Sequence, residues 1–167
     1  FNEEDARCRL NPTGPQHAQI AALAGIAEYI DDLYDHHFQG SDYNRHNRAR
    51  KVFDLVARHE CELANILLKF LSKRDDVRLL GQEQAQPGKR VPTISFQART
   101  MPSKHVAQEL AKHRIGVGSG NFYALRCVES LGIDAQDGIV RVSMVHYNTK
   151  EEVGKLISTL GQILDAA

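Results

Sequence analysis

The stretch Gly138-Ile139-Val140-Arg141-Val142-Ser143-Met144-Val145, followed by His146-Tyr147-Asn148 and by Thr149-Lys150-Glu151-Glu152-Val153, decides the fold. Its first part alternates, in part, apolar with polar residues, the pattern of a strand with one buried face. Thr149 and Glu152 have the spacing of a capping box, in which the threonine hydroxyl accepts from the third helical amide and the glutamate reaches back to the cap amide. Val153, Leu156, Ile157, Leu160 and Leu164 then recur at helical spacing. A strand therefore passes through a short turn into a strongly capped amphipathic helix.

Upstream, Tyr123 to about Leu131 reads as a helix stopped by Gly132, and Ile115-Gly116-Val117-Gly118 as a short strand before it. Thr100-Met101-Pro102-Ser103 opens a helix that carries Val106 and Leu110 and ends near His113. Val77-Arg78-Leu79-Leu80 and Val91-Pro92-Thr93-Ile94-Ser95-Phe96 read as strands separated by a polar loop, residues 82–89. Two long helical patterns come before them. The first, from Gln16 to about His37, places Ile20, Leu23, Ala24, Ala27, Ile30 and Tyr34 on one side; the second, from Asn44 to Lys73, carries Val52, Leu55, Val56, His59, Leu63, Ile66, Leu67, Phe70 and Leu71. The order predicts an α+β domain: a small, mostly antiparallel or mixed sheet covered on one face by helices, preceded by two long N-terminal helices. The composition changes at Lys73, so the expected division is a helical arm over residues 1–74 and a small α+β domain over 75–167.

The chain has 167 residues, with 21 basic against 21 acidic side chains, 42% hydrophobic and 25% charged residues. That balance excludes disorder and collagen-like structure, and it offers no basic excess for a nucleic-acid partner. No apolar run approaches the roughly 18 residues of a membrane span, and Phe1-Asn2-Glu3-Glu4-Asp5 is not the start of a signal peptide. Cys8, Cys61 and Cys127 form no close pair, so free thiols in the cytoplasm are expected rather than a zinc cage. The histidines lack chelating spacing: His36 and His37 are adjacent, and His105 and His113 lie two turns apart, so no metal site is expected. The basic run Arg45 to Lys51 reads as a solvated helix face.

Two places invite chemistry. Gly116-Val117-Gly118-Ser119-Gly120-Asn121 is one glycine spacing short of a dinucleotide fingerprint. It reads either as a turn needing glycine dihedrals or as an anion site at a helix start, which a nucleotide or acyl-CoA phosphate would occupy. Arg141 stands inside an apolar strand, where a guanidinium needs a carboxylate partner, from the protein or from a substrate held bidentately.

Residues 91–164 resemble the C-terminal end of class V aminotransferases of fold-type I, and the cysteine desulfurase-like group in particular. The resemblance rests on Val91-Pro92-Thr93-Ile94-Ser95-Phe96, Pro102-Ser103, Gly116-Val117, and the run R-x-S-x-x-x-Y-N-T-x-E-E from Arg141 to Glu152. Asn11-Pro12-Thr13-Gly14-Pro15-Gln16 resembles the turn before the helix that joins the large domain of these enzymes to the small one. The resemblance implies a pyridoxal 5′-phosphate enzyme acting on an amino acid, in which Arg141 binds the substrate carboxylate. Asn121 and Tyr123, on the Ser119–Tyr123 loop, would form the substrate-side wall. Thr13 or Gly14 would reach the cofactor phosphate of a partner subunit in a homodimer. Tyr123 falls where a desulfurase carries its nucleophilic cysteine, and Cys127 lies one turn further on, where packing is expected.

No Ser-x-His-Lys sequence provides a cofactor lysine; Lys69, Lys73 and Lys104 sit on amphipathic helices. The chain is therefore expected to be the C-terminal portion of a longer enzyme, with no catalytic residue of its own, no cofactor and no turnover in isolation, its missing large domain being its partner. The alternative is a stand-alone, non-catalytic interaction or oligomerisation module derived from that small domain.

Overall fold

The computed structural model describes Glu4, residues 15–40 and residues 42–167. These form two compact units, one ending at Asp54 and the other running Leu55–Ala167. The division falls inside the second helix, ahead of the change in composition at Lys73.

In the first unit, α1 spans His17–His37 and α2 begins at Arg45. Tyr34 is the buried residue of α1, 2% exposed, with the Arg48 guanidinium 4.5 Å from its ring centroid and Phe38 stacked at 5.2 Å. The basic run at the start of α2 is largely engaged by α1 and the turn. Arg45 pairs with Asp31 at 2.7 Å, Arg48 with Asp31 at 3.3 Å and with Asp35 at 2.6 Å, and Lys51 with Asp42 at 3.3 Å. The run therefore pins two helices together, a more specific role than solvation. Ile20 and Leu23 of the α1 stripe, and Ile26 beside them, are more than half exposed.

The second unit contains the remainder of α2, which ends at Leu71, then β1 (Val77–Leu80), β2 (Thr93–Ala98), α3 (Ser103–Lys112), β3 (Gly118–Gly120), α4 (Leu125–Ser130), β4 (Ile139–Ser143) and α5 (Lys150–Asp165). The sheet has the order β1-β2-β4-β3, and every neighbouring pair is antiparallel. This is the α+β architecture the sequence pattern predicts. Ile94, Phe96, Val140 and Val142 point to one face of the sheet and are buried with Leu67 and Leu71 of α2, Leu110 of α3 and Leu160 of α5 in a single apolar core. Period-2 alternation places Ser95, Gln97 and Arg141 on the opposite face.

Three of the boundary differences from the pattern have a clear physical cause. β2 starts at Thr93, two residues late, because Pro92 has no amide to donate to the ladder, although its carbonyl accepts from Met144 at 3.0 Å. The third strand lies at Gly118–Gly120 rather than Ile115–Gly118, because it is Gly118, Ser119 and Gly120 that pair with Arg141, Val140 and Ile139. The short helix begins at Leu125 rather than Tyr123, because Phe122 and Tyr123 are left-handed, at φ +52° and +59°.

The helix ends are held by side chains. At α5 the capping box is complete: Thr149 Oγ1 accepts from the Glu152 amide at 3.2 Å, and Glu152 accepts from the Thr149 amide at 2.9 Å. Thr149→Ala is expected to cost about 1 kcal/mol in urea unfolding. The cap of α3 comes from elsewhere in the chain: Asp137 accepts from the Ser103 amide at 2.7 Å and from its hydroxyl at 3.2 Å. Asn65, on α2, clamps the loop between β1 and β2. Its amide donates to the Ala85 carbonyl at 3.0 Å and accepts from the Ala85 amide at 2.8 Å. Asn65→Ala leaves both backbone groups of the buried Ala85 unpaired, and a loss of about 1–3 kcal/mol is expected, with faster hydrogen exchange at Ala85 as its local signature.

Arg74 ties the end of α2 to α5, donating to both oxygens of Asp76 at 2.8 and 2.6 Å and to Asp165 at 2.7 Å. Those bonds from Arg74 hold the Asp76 carboxyl below the ordinary range, while the Asn148 amide, and then the Thr149 backbone, do the same for Glu152. A carboxylate whose folded value is depressed stabilises the fold above its ordinary range and loses that contribution as the pH falls through the lowered value. The thermal midpoint is therefore expected to drop progressively below about pH 4, and Asp76→Asn to flatten that drop.

Candidate active site on the open face of the sheet

β4 presents Arg141 between the buried Val140 and Val142, on the face away from the core, opposite Ser95 of β2 and Gly118 of β3. The Arg141 guanidinium carbon lies 3.9 Å from the centre of the Phe122 ring. Among the described residues no aspartate or glutamate pairs with it, although Arg45, Arg48 and Arg74 all have carboxylate partners. Of the two partners open to Arg141, a protein carboxylate is therefore not what the described structure provides. Arg141 is half-buried, its guanidinium lies over an aromatic ring, and none of the described carboxylates takes its donors.

The loop beyond β3 frames it. Asn121 accepts from the Tyr123 amide at 3.1 Å, and its side-chain amide donates to Ala135 at 3.4 Å. The first bond is a local turn that stabilises the two left-handed residues. Tyr123 projects fully into solvent. Arg141, Phe122, Gly118 and the turn made by Asn121 and Tyr123 are thus brought together. Thr13 and Gly14 lie outside the described residues.

The glycine run is explained by the sheet. Gly118–Gly120 is an edge strand, Gly120 is left-handed at φ +117°, and a Cβ at Gly118 would come within 2.8 Å of the Phe122 ring. The helix that follows has only six residues and no side-chain cap, a poor anion site. Cys127 corrects its expected packing role: it is exposed, and Val128 is the α4 residue that enters the interior. Among the described residues, no group of three histidine, cysteine, aspartate or glutamate side chains is placed to hold a metal. No described helix is long and apolar enough to cross a membrane.

The segment after Arg141 is fixed from two sides. Asn148 accepts from the Val145 amide at 2.9 Å and donates to Glu152 at 3.1 Å, and its backbone carbonyl is 2.9 Å from His59 Nε2. Lys150 pairs with Glu62 at 2.8 Å. His59 and Glu62 both belong to α2, and neither role has a signal in the sequence beyond the helical period.

Comparison with known proteins bears on this region directly. The aminotransferase class-V family model matches residues 48–156, which include Arg141, Asn121 and Tyr123 and exclude Thr13 and Gly14. The chain belongs to the class-V aminotransferase family. It is 35% identical over 116 residues to the aminotransferase-like protein FGM3 of Gibberella zeae, covering 69% of this chain and 29% of that protein. It is 36% identical over 115 residues to the cysteine desulfurase-like protein ustD of Aspergillus flavus, covering 67% of this chain and 26% of that one. Among solved structures, the apo cysteine desulfurase of Thermococcus onnurineus NA1 superimposes with a TM-score of 0.63 at 26% identity, over 74% of this chain and 29% of that chain. The chain thus spans less than a third of the length of each of these class-V relatives.

Proposed function

We propose that this chain is the C-terminal, substrate-side part of a pyridoxal-phosphate-dependent class-V enzyme acting on an amino acid, and that Arg141 binds the substrate carboxylate. The observation that carries the reading is the Arg141 guanidinium itself: over the Phe122 ring, on the polar face of the sheet, and without a carboxylate partner among the described residues. A planar guanidinium offers paired N–H donors that match the two oxygens of a carboxylate. Asn121 and Tyr123 form the adjoining wall.

The residues present do not fit the cofactor's covalent attachment. Every lysine of the chain, from Lys51 to Lys155, is exposed, and Lys51, Lys112 and Lys150 are engaged in ion pairs. Attachment therefore falls to a large domain outside this chain, and the chain alone is inactive. Tyr123 in place of a thiol argues against persulfide formation on this loop. A cytoplasmic homodimer completes the reading; the free thiols of Cys61 and Cys127 are what a reducing compartment leaves, and they support the cytoplasmic part alone.

The test is a titration of the intact, cofactor-containing protein with the twenty standard L-amino acids and with the amines that lack their carboxylates. Perturbation of the cofactor absorbance by at least one amino acid, more tightly than by its amine, is expected; equal affinity for the two, or no response to any, refutes the carboxylate role. The exposed Ile20, Leu23 and Ile26 of α1 favour a second reading, a non-catalytic interaction module, which would show no response.

A further inference from the structure

We infer that Phe122 is a positioning residue for Arg141: its ring, occupying the space a side chain at Gly118 would take, is the shelf that sets the plane of the guanidinium for a carboxylate. The inference rests on the proposed carboxylate role of Arg141 and adds to it the residues that orient the group.

Three independent features converge on the ring. The guanidinium carbon stands over the Phe122 ring, 3.9 Å from its centre, well inside cation–π range. That contact restricts the rotamers of a long side chain on an open sheet face, and among the described residues no carboxylate takes its donors. Next, a Cβ built at Gly118 falls 2.8 Å from Cε1 and Cζ of Phe122, so the ring can lie against β3 only because residue 118 has no side chain. Gly118 is also the residue directly opposite Arg141 in the ladder, which places shelf and cation on the same register. Finally, Phe122 holds a φ of +52°, a conformation that is rare for a bulky residue and that turns the chain back after β3. Strain of this kind persists where surrounding structure imposes it, and here it aims the ring at Arg141. Tyr123, the next residue, is also left-handed but has its side chain in solvent, so the backbone arrangement serves Phe122 rather than its neighbour.

The experiment uses the intact, cofactor-containing protein with Phe122→Leu, Phe122→Tyr, Gly118→Ala and Arg141→Gln. The probes are the L-amino acid that binds most tightly among the standard twenty and the amine lacking its carboxylate, read as apparent dissociation constants from the cofactor absorbance. Phe122→Leu is expected to weaken the amino acid about tenfold while changing the amine by less than about twofold, and Phe122→Tyr to recover the affinity lost in the leucine variant. Gly118→Ala, which displaces the ring without altering it, should weaken the amino acid to a similar extent. Wild-type affinity in Phe122→Leu alongside weakened binding in Arg141→Gln overturns the shelf and leaves the carboxylate role standing. Equal weakening of amino acid and amine by Phe122→Leu also overturns it, since a general structural defect would do that. Unchanged binding in Arg141→Gln refutes the carboxylate role, and the shelf with it.

Discussion

On the carboxylate role proposed above, replacing Arg141 by glutamine in the intact, cofactor-containing protein is expected to lower kcat/KM for an amino-acid substrate by about a hundredfold or more. Truncating one partner of a desolvated, hydrogen-bonded charge pair costs about 2–5 kcal/mol, much of it the penalty of leaving the other charge unpaired. With a factor of ten for about 1.4 kcal/mol, a hundredfold loss corresponds to about 2.8 kcal/mol, inside that range. Most of the effect should appear in KM, because the carboxylate is bound in ground state and transition state alike. Arg141→Lys should be intermediate: the charge returns, but the planar pair of donors does not. Neither variant should lower the thermal midpoint appreciably, since the side chain points away from the core that Val140 and Val142 enter. Steady-state kinetics together with a melting curve check all four statements.

Gly138→Ala carries the largest expected effect on stability. Gly138 is left-handed at φ +68°, where an alanine costs roughly 1–2 kcal/mol by itself. A Cβ there would also overlap the carbonyl of Gly120 and come within 2.6 Å of its Cα, and backbone atoms of a paired strand have little freedom to move aside. The segment is tied down on its other side as well, because the Gly138 carbonyl accepts from Gln97 at 3.1 Å and the Gly138 amide donates to the Asp134 carbonyl at 2.8 Å. A loss of about 3 kcal/mol or more in urea unfolding is expected, of the size reserved for a few named mechanisms. Increased exchange at Gly118–Gly120, the strand that would be pushed off, should accompany it. Gly116→Ala is the internal control. A Cβ at that position meets nothing within 4 Å, so a change within about 0.5 kcal/mol is expected.

Both predictions depend on features that the sequence reveals unequally. The succession of helices and strands is legible because each is written in local terms: the 3.6-residue stripe of α2, the alternation around Val140, the capping box from Thr149 to Glu152. Arg141 stands out for the same reason, as a charge in an apolar strand. What is not legible is pairing between distant segments. Asp137 capping α3, Asn65 clamping Ala85, and His59 meeting the Asn148 carbonyl join residues 20 to 89 positions apart, and the amino-acid types involved are common in unpaired roles. The displaced β3 and the late start of α4 share one cause. The glycines at 116, 118 and 120 and the aromatics at 122 and 123 suit several backbone paths, and the choice is made by the ladder with β4 and by the ring of Phe122 above Gly118. That is why the loop's glycine content resembles an anion-binding turn while its geometry serves an arginine.

The most direct test of the account is a crystal structure of the intact, cofactor-containing protein with a bound amino acid or unreactive analogue. The expected result is a carboxylate with both oxygens on the Arg141 guanidinium, at about 2.7–2.9 Å, and the Phe122 ring still beneath it. An Arg141 paired instead with an aspartate or glutamate of the protein, with the ligand carboxylate held elsewhere, would contradict it.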